Sequence, residues 1–379
     1  MPLYLDHAAT TPLAPEVREA VVKALDDDFG NAGSRTHEFG SRAKQAVQAA
    51  RAAVASVVAA DPADVIFTSG ATEANNLALL GMAAEGTRTG KRHIVTTAIE
   101  HKAVLEPLCV LQSRGFEVTY LPVGPSGRIS ASSVLEAVRE DTLLVSVMQA
   151  NNETGVLQPI DAVADGLADH HAIFHVDAAQ GYGKDLVPLR HPRIDLIAVS
   201  AHKIFGPKGV GALISRRRGY ARAPLEPLIY GGGQERGLRP GTAPVPLLVG
   251  FGVAAQLCLR DHDKRLQRCE ELRREALEAF GALDFDINGI DEPRLAHILS
   301  VAFRGVDSEA LMLSLKDLIA ISNGSACTSA NYEASHVLTN MALSADRVAA
   351  TVRLSWGPLT PMVPWAEIAA RVSSLQSEC

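Results

Sequence analysis

The residues best suited to chemistry surround Lys203, in the segment IDLIAVSAHKIFGPKGVGAL (194–213). The pattern predicts a strand that ends at Ser200 and a glycine-rich turn that contains Lys203. A lysine at the carboxyl end of a strand, flanked by small and hydroxyl residues, is well placed to form a Schiff base with an aldehyde cofactor. For Lys203 taken alone, the alternative is an ordinary surface lysine in a turn.

A carboxylate lies 26 residues before that lysine, in the segment HVDAAQ (175–180). Asp177 closes an apolar strand, so its side chain and that of Lys203 can enter one cleft at adjoining strand ends. An aspartate beside a pyridinium nitrogen keeps that nitrogen protonated. Asp177 taken alone is equally suited to be the N-cap of a helix.

A third segment, TSGATEANN (68–76), predicts a strand that runs through a turn into a helix. The free backbone N–H groups at the start of that helix, together with the Thr72 hydroxyl, offer a seat for a phosphate group. Helix capping is the alternative explanation for such a turn.

The elements that must position these groups alternate along the chain. Apolar strands are predicted at 65–69, 93–97, 116–121, 143–148 and 172–177, with helical stretches between them. Such strands show little alternation, as expected when helices cover both faces of a sheet. The pattern predicts an α/β fold with a doubly wound, mixed or parallel sheet, whose ligands bind beyond the carboxyl ends of the strands.

The rest of the chain predicts a second, smaller α+β domain. Residues 216–246 are rich in Gly, Pro and Arg and predict an irregular connector, followed by one long helix over about 247–281 and another near 307–317. We expect a large domain at 16–258 and a small domain made of 1–15 and 259–379. The small domain would carry a loop at about 322–335 that contains Cys327.

Composition limits the classes of protein to consider. The chain has 379 residues, 47% of them hydrophobic and 21% charged, with a formal net charge of -7. That charge gives no support to nucleic-acid binding. We expect a cytoplasmic protein without membrane attachment, since no signal peptide or stretch of about 20 apolar residues is visible. The five scattered cysteines include no CxxC pair, which argues against disulfides and a structural zinc site, and no metal is predicted.

The order of the motifs GATEANN, EHKAVL, NNETG, HVDAAQ, SAHK, GGGQERGLRPGT and SNGSACTSA resembles the cysteine desulfurases of the NifS/IscS type. The resemblance runs from LDHAATTP (5–12) to RLSWG (353–357). It implies membership of the class-V aminotransferases, which are homodimeric enzymes of fold-type I that depend on pyridoxal phosphate. The expected activity is conversion of L-cysteine to L-alanine, with the sulfur passed to acceptor or scaffold proteins.

The resemblance also implies a role for each matching position. Lys203 binds the cofactor and moves protons on the substrate, Asp177 pairs with the pyridine nitrogen, and His101 stacks on the ring and exchanges protons. The other cofactor-binding residues that it implies are Ala71, Thr72, Asn152, Gln180, Ser200, His202 and, from the neighbouring subunit, Thr242. Without the family, His101 has the alternative of a helix N-terminal residue that binds no ligand.

Substrate binding is implied for Asn152, Arg353 and Asn31. Arg353 is suited to hold a carboxylate with two hydrogen bonds, with a structural ion pair as its alternative. Cys327 lies in the small polar run ISNGSACTSANYEASH, which favours a reactive thiol over a core residue. In the resemblance, Cys327 takes the sulfur as a persulfide.

Small departures from the family pattern remove no catalytic group. Position 32 is Ala instead of Pro and position 179 is Ala instead of Thr. In the Cys327 loop, Asn323 and Ala334 replace Ser and Pro, and Asn323 is placed to alter how the loop folds against the site.

Three other functions remain open at this stage. The same scaffold serves selenocysteine lyases and other class-V lyases or transaminases. A sulfur-relay docking hub with weak activity of its own is compatible with the motifs. Direct nucleic-acid binding through Arg216, Arg217 and Arg218 is a third reading, although such a short basic run is usually a solvated face.

The destination of the sulfur is also open. Iron–sulfur cluster assembly, tRNA thiolation and DNA phosphorothioation all draw on desulfurases that resemble this chain.

Overall fold

A computed structural model describes residues 1–323 and 334–377 of the chain. Cys327 and Cys379 therefore lie outside the described residues. The two ends of the predicted Cys327 loop are described as far as Asn323 on one side and from Ala334 on the other.

Helices and strands alternate through most of the described chain. The helices are α1 Pro15–Asp27, α2 Glu38–Val57, α3 Ala71–Leu80, α4 Ala83–Thr89, α5 Lys102–Ser113, α6 Ala131–Glu136, α7 Ile160–Gly166, α8 Val245–Arg260, α9 His262–Phe280, α10 Ser308–Leu315, α11 His336–Asn340, α12 Ala345–Ala349 and α13 Trp365–Ser377. The strands are β1 Leu3–Tyr4, β2 Val65–Thr68, β3 His93–Thr97, β4 Glu117–Leu121, β5 Thr142–Ser146, β6 Ile173–Asp177, β7 Leu196–Ser200, β8 Gly211–Ser215, β9 Arg217–Arg218, β10 Ala221–Arg222, β11 Phe285–Ile287, β12 Ile298–Phe303, β13 Ile319–Ala320 and β14 Thr351–Ser355. Within the described ranges, no helix has the length and apolar character needed to span a membrane.

The main sheet has the strand order β2-β8-β7-β6-β5-β3-β4. Neighbours from β7 to β4 pair in parallel, whereas β8 runs antiparallel to β7 and to β2. Both faces are buried, because Val65 and Phe67 of β2 belong to one core cluster and Ile66 between them belongs to another. The predicted α/β fold with a mixed, doubly wound sheet is confirmed.

Two sets of helices cover the sheet. Val54 of α2 and Phe251 of α8 belong to the cluster on one face, and Leu77 of α3 and Leu108 of α5 belong to clusters on the other. Helices on both faces leave the carboxyl ends of the parallel strands as the place where polar side chains from several strands can meet.

A smaller core lies around the antiparallel sheet β11-β12-β14. It contains side chains of α9, α10 and α13, together with Leu5 from the N-terminal segment. Val337 and Leu338 of α11 instead pack in the larger core, although they lie in the second half of the predicted small domain. The domain limits at 15/16 and 258/259 stay a prediction.

The predicted single helix over 247–281 is wrong, because two helices occupy that stretch. Asp261 separates α8 from α9 and has φ -111° and ψ 17°, outside helical geometry. Cys258 of α8 belongs to the larger core and Leu272 of α9 to the smaller one. The chain turns at Asp261 because consecutive helices bury their apolar faces in different cores.

The basic run is the expected solvated face only in part, since Arg217 and Arg218 are exposed whereas Arg216 is buried. Arg216 is 7% exposed and donates hydrogen bonds to backbone carbonyls of Val58, Leu189 and His191. Arg218 forms an ion pair with Asp195 at 2.6 Å. Arg216 is therefore a structural residue and Arg218 pairs with an acid at the surface, so the run does not offer three free cations to a nucleic acid.

Candidate functional site

A cavity of about 550 Å³ opens at the carboxyl ends of β2, β3, β5, β6 and β7. We call it the strand-end cavity. Most of the side chains predicted to bind a cofactor or substrate line it, namely Ala71, Thr72, His101, Asn152, Asp177, Gln180, Ser200, His202, Lys203 and Arg353. Such a cluster is what the strand order requires, since parallel strands deliver their ends to one edge of the sheet.

Asp177 is the last residue of β6 and is only 4% exposed. Its Oδ2 accepts a hydrogen bond from Asn75 Nδ2 at 2.8 Å, and its Oδ1 accepts one from the Ala179 N–H at 2.9 Å. These two donors fix the carboxylate in the cavity wall. Asn75 was missed at the sequence level, although it lies one helical turn after Ala71 in α3 and therefore on the same side of the helix.

Lys203 lies in a short 3-10 turn that follows β7. Its Nζ donates to the backbone carbonyls of Ala8 at 2.5 Å and Ala9 at 2.8 Å. The N-terminal segment also holds the turn itself, because the Thr11 hydroxyl donates to the His202 carbonyl and accepts from the Phe205 N–H. The segment LDHAATTP is thus a structural part of the lysine site.

The backbone adopts an unusual conformation two residues after Lys203. Phe205 has φ 66°, a left-handed conformation that is unfavourable for a bulky side chain. Strain of this kind costs about 1–3 kcal/mol and persists where the surrounding structure fixes it. The hydrogen bond from the Phe205 N–H to Thr11 Oγ1, at 2.9 Å, is one such restraint.

His101 is both the N-cap of α5 and a lining residue of the cavity. Its Nδ1 accepts a hydrogen bond from the Ala103 N–H at 3.0 Å, which assigns the proton of the neutral ring to Nε2. Burial lowers the pKa of His101, while the negative charge of Asp177 acts against that shift. The ring is therefore neutral near neutral pH and has an N–H available to donate.

The start of α3 lies on the same cavity. The N-cap Gly70 has no side chain to bind the first N–H groups of the helix, so those of Ala71 and Thr72, two residues that line the cavity, have neither a side-chain cap nor an intrahelical partner. Gly211 of the neighbouring strand β8 packs directly beside Gly70. No side chain fits at position 211, because its Cβ would lie 2.6 Å from the Gly70 Cα. Close packing of two glycines thus sets the position of this helix start.

His202 completes this end of the cavity. Its Nδ1 lies 3.1 Å from the Thr10 hydroxyl, and burial, followed by the positive charges of Lys203 and Lys208, lowers its pKa to about 4. A neutral imidazole can therefore donate a hydrogen bond here without adding charge.

Arg353 forms the structural ion pair that was its alternative role, and it also lines the strand-end cavity. It comes from β14 of the smaller sheet, is 3% exposed, and pairs with Asp6 Oδ1 at 2.7 Å. A second nitrogen donates to the Asn152 carbonyl at 2.9 Å. Its Nε has no hydrogen-bond partner in the described part of the chain, so one N–H remains for a ligand.

A buried acid, Glu100, stands directly before His101 and was also missed by sequence reasoning. Its Oε1 accepts hydrogen bonds from the Thr97 hydroxyl at 2.7 Å and the Met148 N–H at 2.9 Å. The pKa of Glu100 is raised to about 8, chiefly by burial and in addition by the nearby charge of Asp177. A protonated Glu100 avoids placing a second negative charge beside Asp177.

Replacing Glu100 with glutamine is expected to flatten the dependence of stability on pH. Because the folded pKa of about 8 lies above the unfolded value of 4.5, the folded protein keeps a proton that the unfolded chain loses. Stability must therefore fall as pH rises between those two values. The melting temperature of wild type should drop more than that of Glu100→Gln across this range.

Glu106→Gln is the matched control, because Glu106 is exposed on the neighbouring helix α5. Its melting temperature should follow the wild-type pH dependence. Equal pH dependence in wild type and Glu100→Gln would contradict the assignment.

The strand-end cavity fits pyridoxal phosphate by its donor set. A fixed carboxylate, Asp177, suits the pyridinium nitrogen, and the helix start with Ser200 and His202 suits the phosphate. Gln180 donates one Nε2 hydrogen to the Ala8 carbonyl, which leaves its second amide hydrogen for the phenolic oxygen. A volume of about 550 Å³ lies in the usual range for cofactor sites.

Three predicted residues stand apart from this cavity. Asn31 is exposed and its Oδ1 accepts from the Gly33 N–H, within its own turn. Thr242 is exposed in the segment before α8. Neither lines the strand-end cavity of this chain, and Cys327 is outside the described residues.

Comparison with known proteins gives one family for most of the chain. The sequence profile of the class-V aminotransferases matches residues 3–362. The cysteine desulfurase IscS of Vibrio campbellii is 45% identical over 363 residues, which cover 95% of this chain and 89% of that protein.

Solved structures agree with this result. DndA from Streptomyces lividans is 50% identical, with a TM-score of 0.82 over 93% of this chain and 99% of its own. SspA, solved in complex with cysteine, is 37% identical, with a TM-score of 0.81 over 95% of this chain and 100% of its own. The predicted fold-type I architecture is confirmed by these similarities.

Proposed function

This chain belongs to the class-V aminotransferase family, and from its site we propose that Lys203 carries the cofactor and that Cys327 receives the sulfur of L-cysteine. It is a cysteine desulfurase that depends on pyridoxal phosphate, an enzyme class in which L-cysteine is the substrate and other proteins accept the sulfur. The assignment of individual residues is our proposal.

One observation carries that assignment. Lys203, Asp177, His101 and Arg353 come from separate parts of the chain and line the same cavity. The activity is tested by supplying the holoenzyme with L-cysteine and a reducing thiol, and alanine and sulfide should then form in equal amounts. Variants of Lys203, Arg353 and Cys327 test the residue assignment. Pyruvate and ammonia, or release of sulfide without alanine, would contradict the proposal.

The residues of this chain divide the work of the reaction. When bound, pyridoxal phosphate supplies an electron sink for the bonds around the substrate Cα. Asp177, held by Asn75 and the Ala179 N–H, keeps a negative charge where the pyridinium nitrogen needs one. Lys203 moves the proton at the substrate Cα, and the Nε2–H of His101 donates toward the ring or the substrate.

The substrate carboxylate would bind Arg353. The guanidinium is already oriented by Asp6 and by the Asn152 carbonyl, and this orientation lowers the entropy lost on binding. Because Asp6 neutralises Arg353 in the described structure, the substrate must share the guanidinium with it. Its unpartnered Nε–H supports such sharing.

Replacing Arg353 with lysine should weaken substrate recognition and leave the cofactor bound. Lysine keeps the charge opposite Asp6 but cannot offer a planar pair of donors. A charge-assisted hydrogen bond contributes about 1.5–3 kcal/mol, so kcat/KM for L-cysteine should fall by roughly 10- to 100-fold.

Steady-state kinetics, with cofactor content measured by absorbance, checks this expectation. Arg347→Lys is the control, because Arg347 lies on α12, donates a hydrogen bond to Asn288 Oδ1 and does not line the cavity. An unchanged kcat/KM in Arg353→Lys would remove Arg353 from the proposed substrate site.

The sulfur step requires a thiolate. Cys327 Sγ would attack the substrate sulfur and form an S–S bond, while the substrate Cβ–S bond breaks and its electron pair stays on Cβ. Protonation at Cβ gives alanine, and the enzyme keeps the sulfur as a persulfide. No external oxidant is needed, since the carbon is reduced as the two sulfur atoms become bonded.

The described cysteines support Cys327 by contrast. Burial raises the pKa values of Cys258 and Cys269 to about 11, so neither forms a thiolate readily. Cys109 is exposed on α5 but does not line the strand-end cavity.

We further propose that the enzyme is a homodimer in which Thr242 reaches the phosphate bound by the partner. Thr242 is exposed, and Leu228, Ile229 and Tyr230 in the same irregular segment expose 39%, 50% and 83% of their surface. A run of exposed apolar side chains is typical of an interaction surface.

Replacing Thr242 with valine tests the dimer, because valine has nearly the same shape and lacks the hydroxyl. Loss of one hydrogen bond of about 0.5–1.5 kcal/mol should weaken cofactor affinity by up to about tenfold. A mixture of Thr242→Val and Lys203→Ala chains should regain one site of wild-type affinity per mixed dimer, which a cofactor titration would detect. Failure to regain that affinity would contradict the shared site.

A further inference from the structure

A second cavity, of about 500 Å³, lies between the larger and the smaller core. It is lined by residues 183–187 on one side, by α9 on another, and by His297 and Trp356. We call it the Lys184 cavity. Lys203 lines both this cavity and the strand-end cavity, so the two spaces are neighbours.

Three buried nitrogen atoms in its wall lack hydrogen-bond partners. Lys184 Nζ, His297 Nε2 and His7 Nδ1 have none in the described residues. His297 is 6% exposed, and Lys184 is partly exposed although its Nζ is buried. Buried polar groups are nearly always satisfied, so such a group beside a cavity indicates a ligand or ordered water.

The pKa shifts of these groups indicate the sign of the charge that the ligand carries. Burial, followed by the positive charge of Lys203, lowers the pKa of Lys184 to about 7. Burial also lowers the pKa values of His7 and His297, and the charge of Lys184 adds to both shifts. A negative charge placed here would act against all of these shifts, because it favours the charged form of each group, and that preference is a favourable binding free energy.

Neither acid of the wall, Asp185 or Glu270, is among the groups that shift the pKa values of Lys184, His7 and His297. Asp185 Oδ2 accepts a hydrogen bond from Gln149 Nε2 at 2.9 Å, and Glu270 is exposed. Apart from Lys184, the other charged side chains of the lining are basic, namely Arg190, Lys203, Arg265 and Arg294. The interior therefore favours an anion.

The rest of the wall is apolar. Phe205, Trp356 and Leu157 line the interior, and Val187 and Leu266 at the mouth expose 71% and 40% of their surface. A free inorganic anion would leave this surface in contact with water. An organic anion with an apolar body would cover it and gain about 25 cal/mol per Å² of apolar area.

We propose that the Lys184 cavity is a second binding site, separate from the cysteine site, for an organic carboxylate with an apolar body. Lys184, His7 and His297 bind the carboxylate, and the apolar body extends toward Val187 and Leu266. Lys203 is shared between the walls of the two cavities, but the three side chains that bind the carboxylate have no part in the proposed desulfurase reaction.

Hexanoate is a suitable probe of the holoenzyme. One of the two tryptophans of the chain, Trp356, lines the cavity, so intrinsic fluorescence reports binding directly. At a pH below the pKa of Lys184, hexanoate should cause a saturable change in tryptophan fluorescence with a Kd on the order of 1 mM. Acetate, hexanol and hexylamine should bind at least about tenfold more weakly.

Variants locate the binding. Lys184→Met should raise the Kd for hexanoate at least tenfold, and so should Val187→Asp, which adds a negative charge at an exposed position where folding is not at risk. Lys264→Met is the control, because Lys264 is exposed on α9 and does not line the cavity. Equal binding of hexanol and hexanoate, or wild-type affinity in Val187→Asp, would overturn the proposal.

Discussion

Replacing Lys203 with alanine is expected to remove the absorbance of the lysine-bound cofactor and to lower desulfurase turnover by at least about 100-fold. The side chain has two roles in our account, since it holds the cofactor and moves the proton at the substrate Cα. The positions of Ala8 and Ala9, whose carbonyls accept from Nζ, show that the surrounding chain is built to orient this amine.

Lys203→Arg is the informative companion variant. Arginine keeps the positive charge but cannot form the covalent link, so it should lose the absorbance as completely as alanine does. Lys264→Met should keep both absorbance and turnover, because Lys264 is exposed and does not line the strand-end cavity. A Lys203→Ala protein with wild-type absorbance and turnover would contradict the assignment of the cofactor lysine.

Replacing Cys327 with serine should have a different result, in which the cofactor stays bound and sulfur transfer stops. Serine has nearly the same size, but its hydroxyl is not ionised at neutral pH and does not form a persulfide. We expect the wild-type absorbance spectrum and sulfide production at the level of a protein-free reaction. Turnover and cofactor absorbance measured on the same sample separate the two roles.

Cys109→Ser is the matched control for that variant. Cys109 is exposed, and its loss should leave sulfide production unchanged. Full activity in Cys327→Ser, or loss of activity in Cys109→Ser, would show that the sulfur takes another route.

The sequence allowed the centre of the site to be predicted because strand ends are local features. The apolar runs that end at Asp177 and Ser200 are visible in the sequence, and parallel strands bring their carboxyl ends together. The phosphate site expected at Thr72 was predicted from the start of a helix, which is also a local feature. The roles of His101, Gln180 and Arg353 came from the family resemblance, and the structure places all three in the cavity.

Other parts depend on contacts between distant residues and could not be predicted. Asn75 meets Asp177 across 102 residues, and Asp6 meets Arg353 across 347. Nothing in the local pattern of TEANN or LDHAATTP specifies those partners. The division between α8 and α9 at Asp261 was missed for a similar reason. The apolar side chains of α8 pack in the larger core and those of α9 in the smaller core, and the local sequence does not show this.

The most direct test of the account is a peptide mass measurement on wild-type holoenzyme after a single exposure to L-cysteine without a reducing thiol. We predict one additional sulfur atom on the peptide that contains Cys327, removable by a reductant, and alanine in equal amount. Additional sulfur on the peptide of Cys109, or alanine without any protein-bound sulfur, would contradict the central claim that Cys327 receives the sulfur.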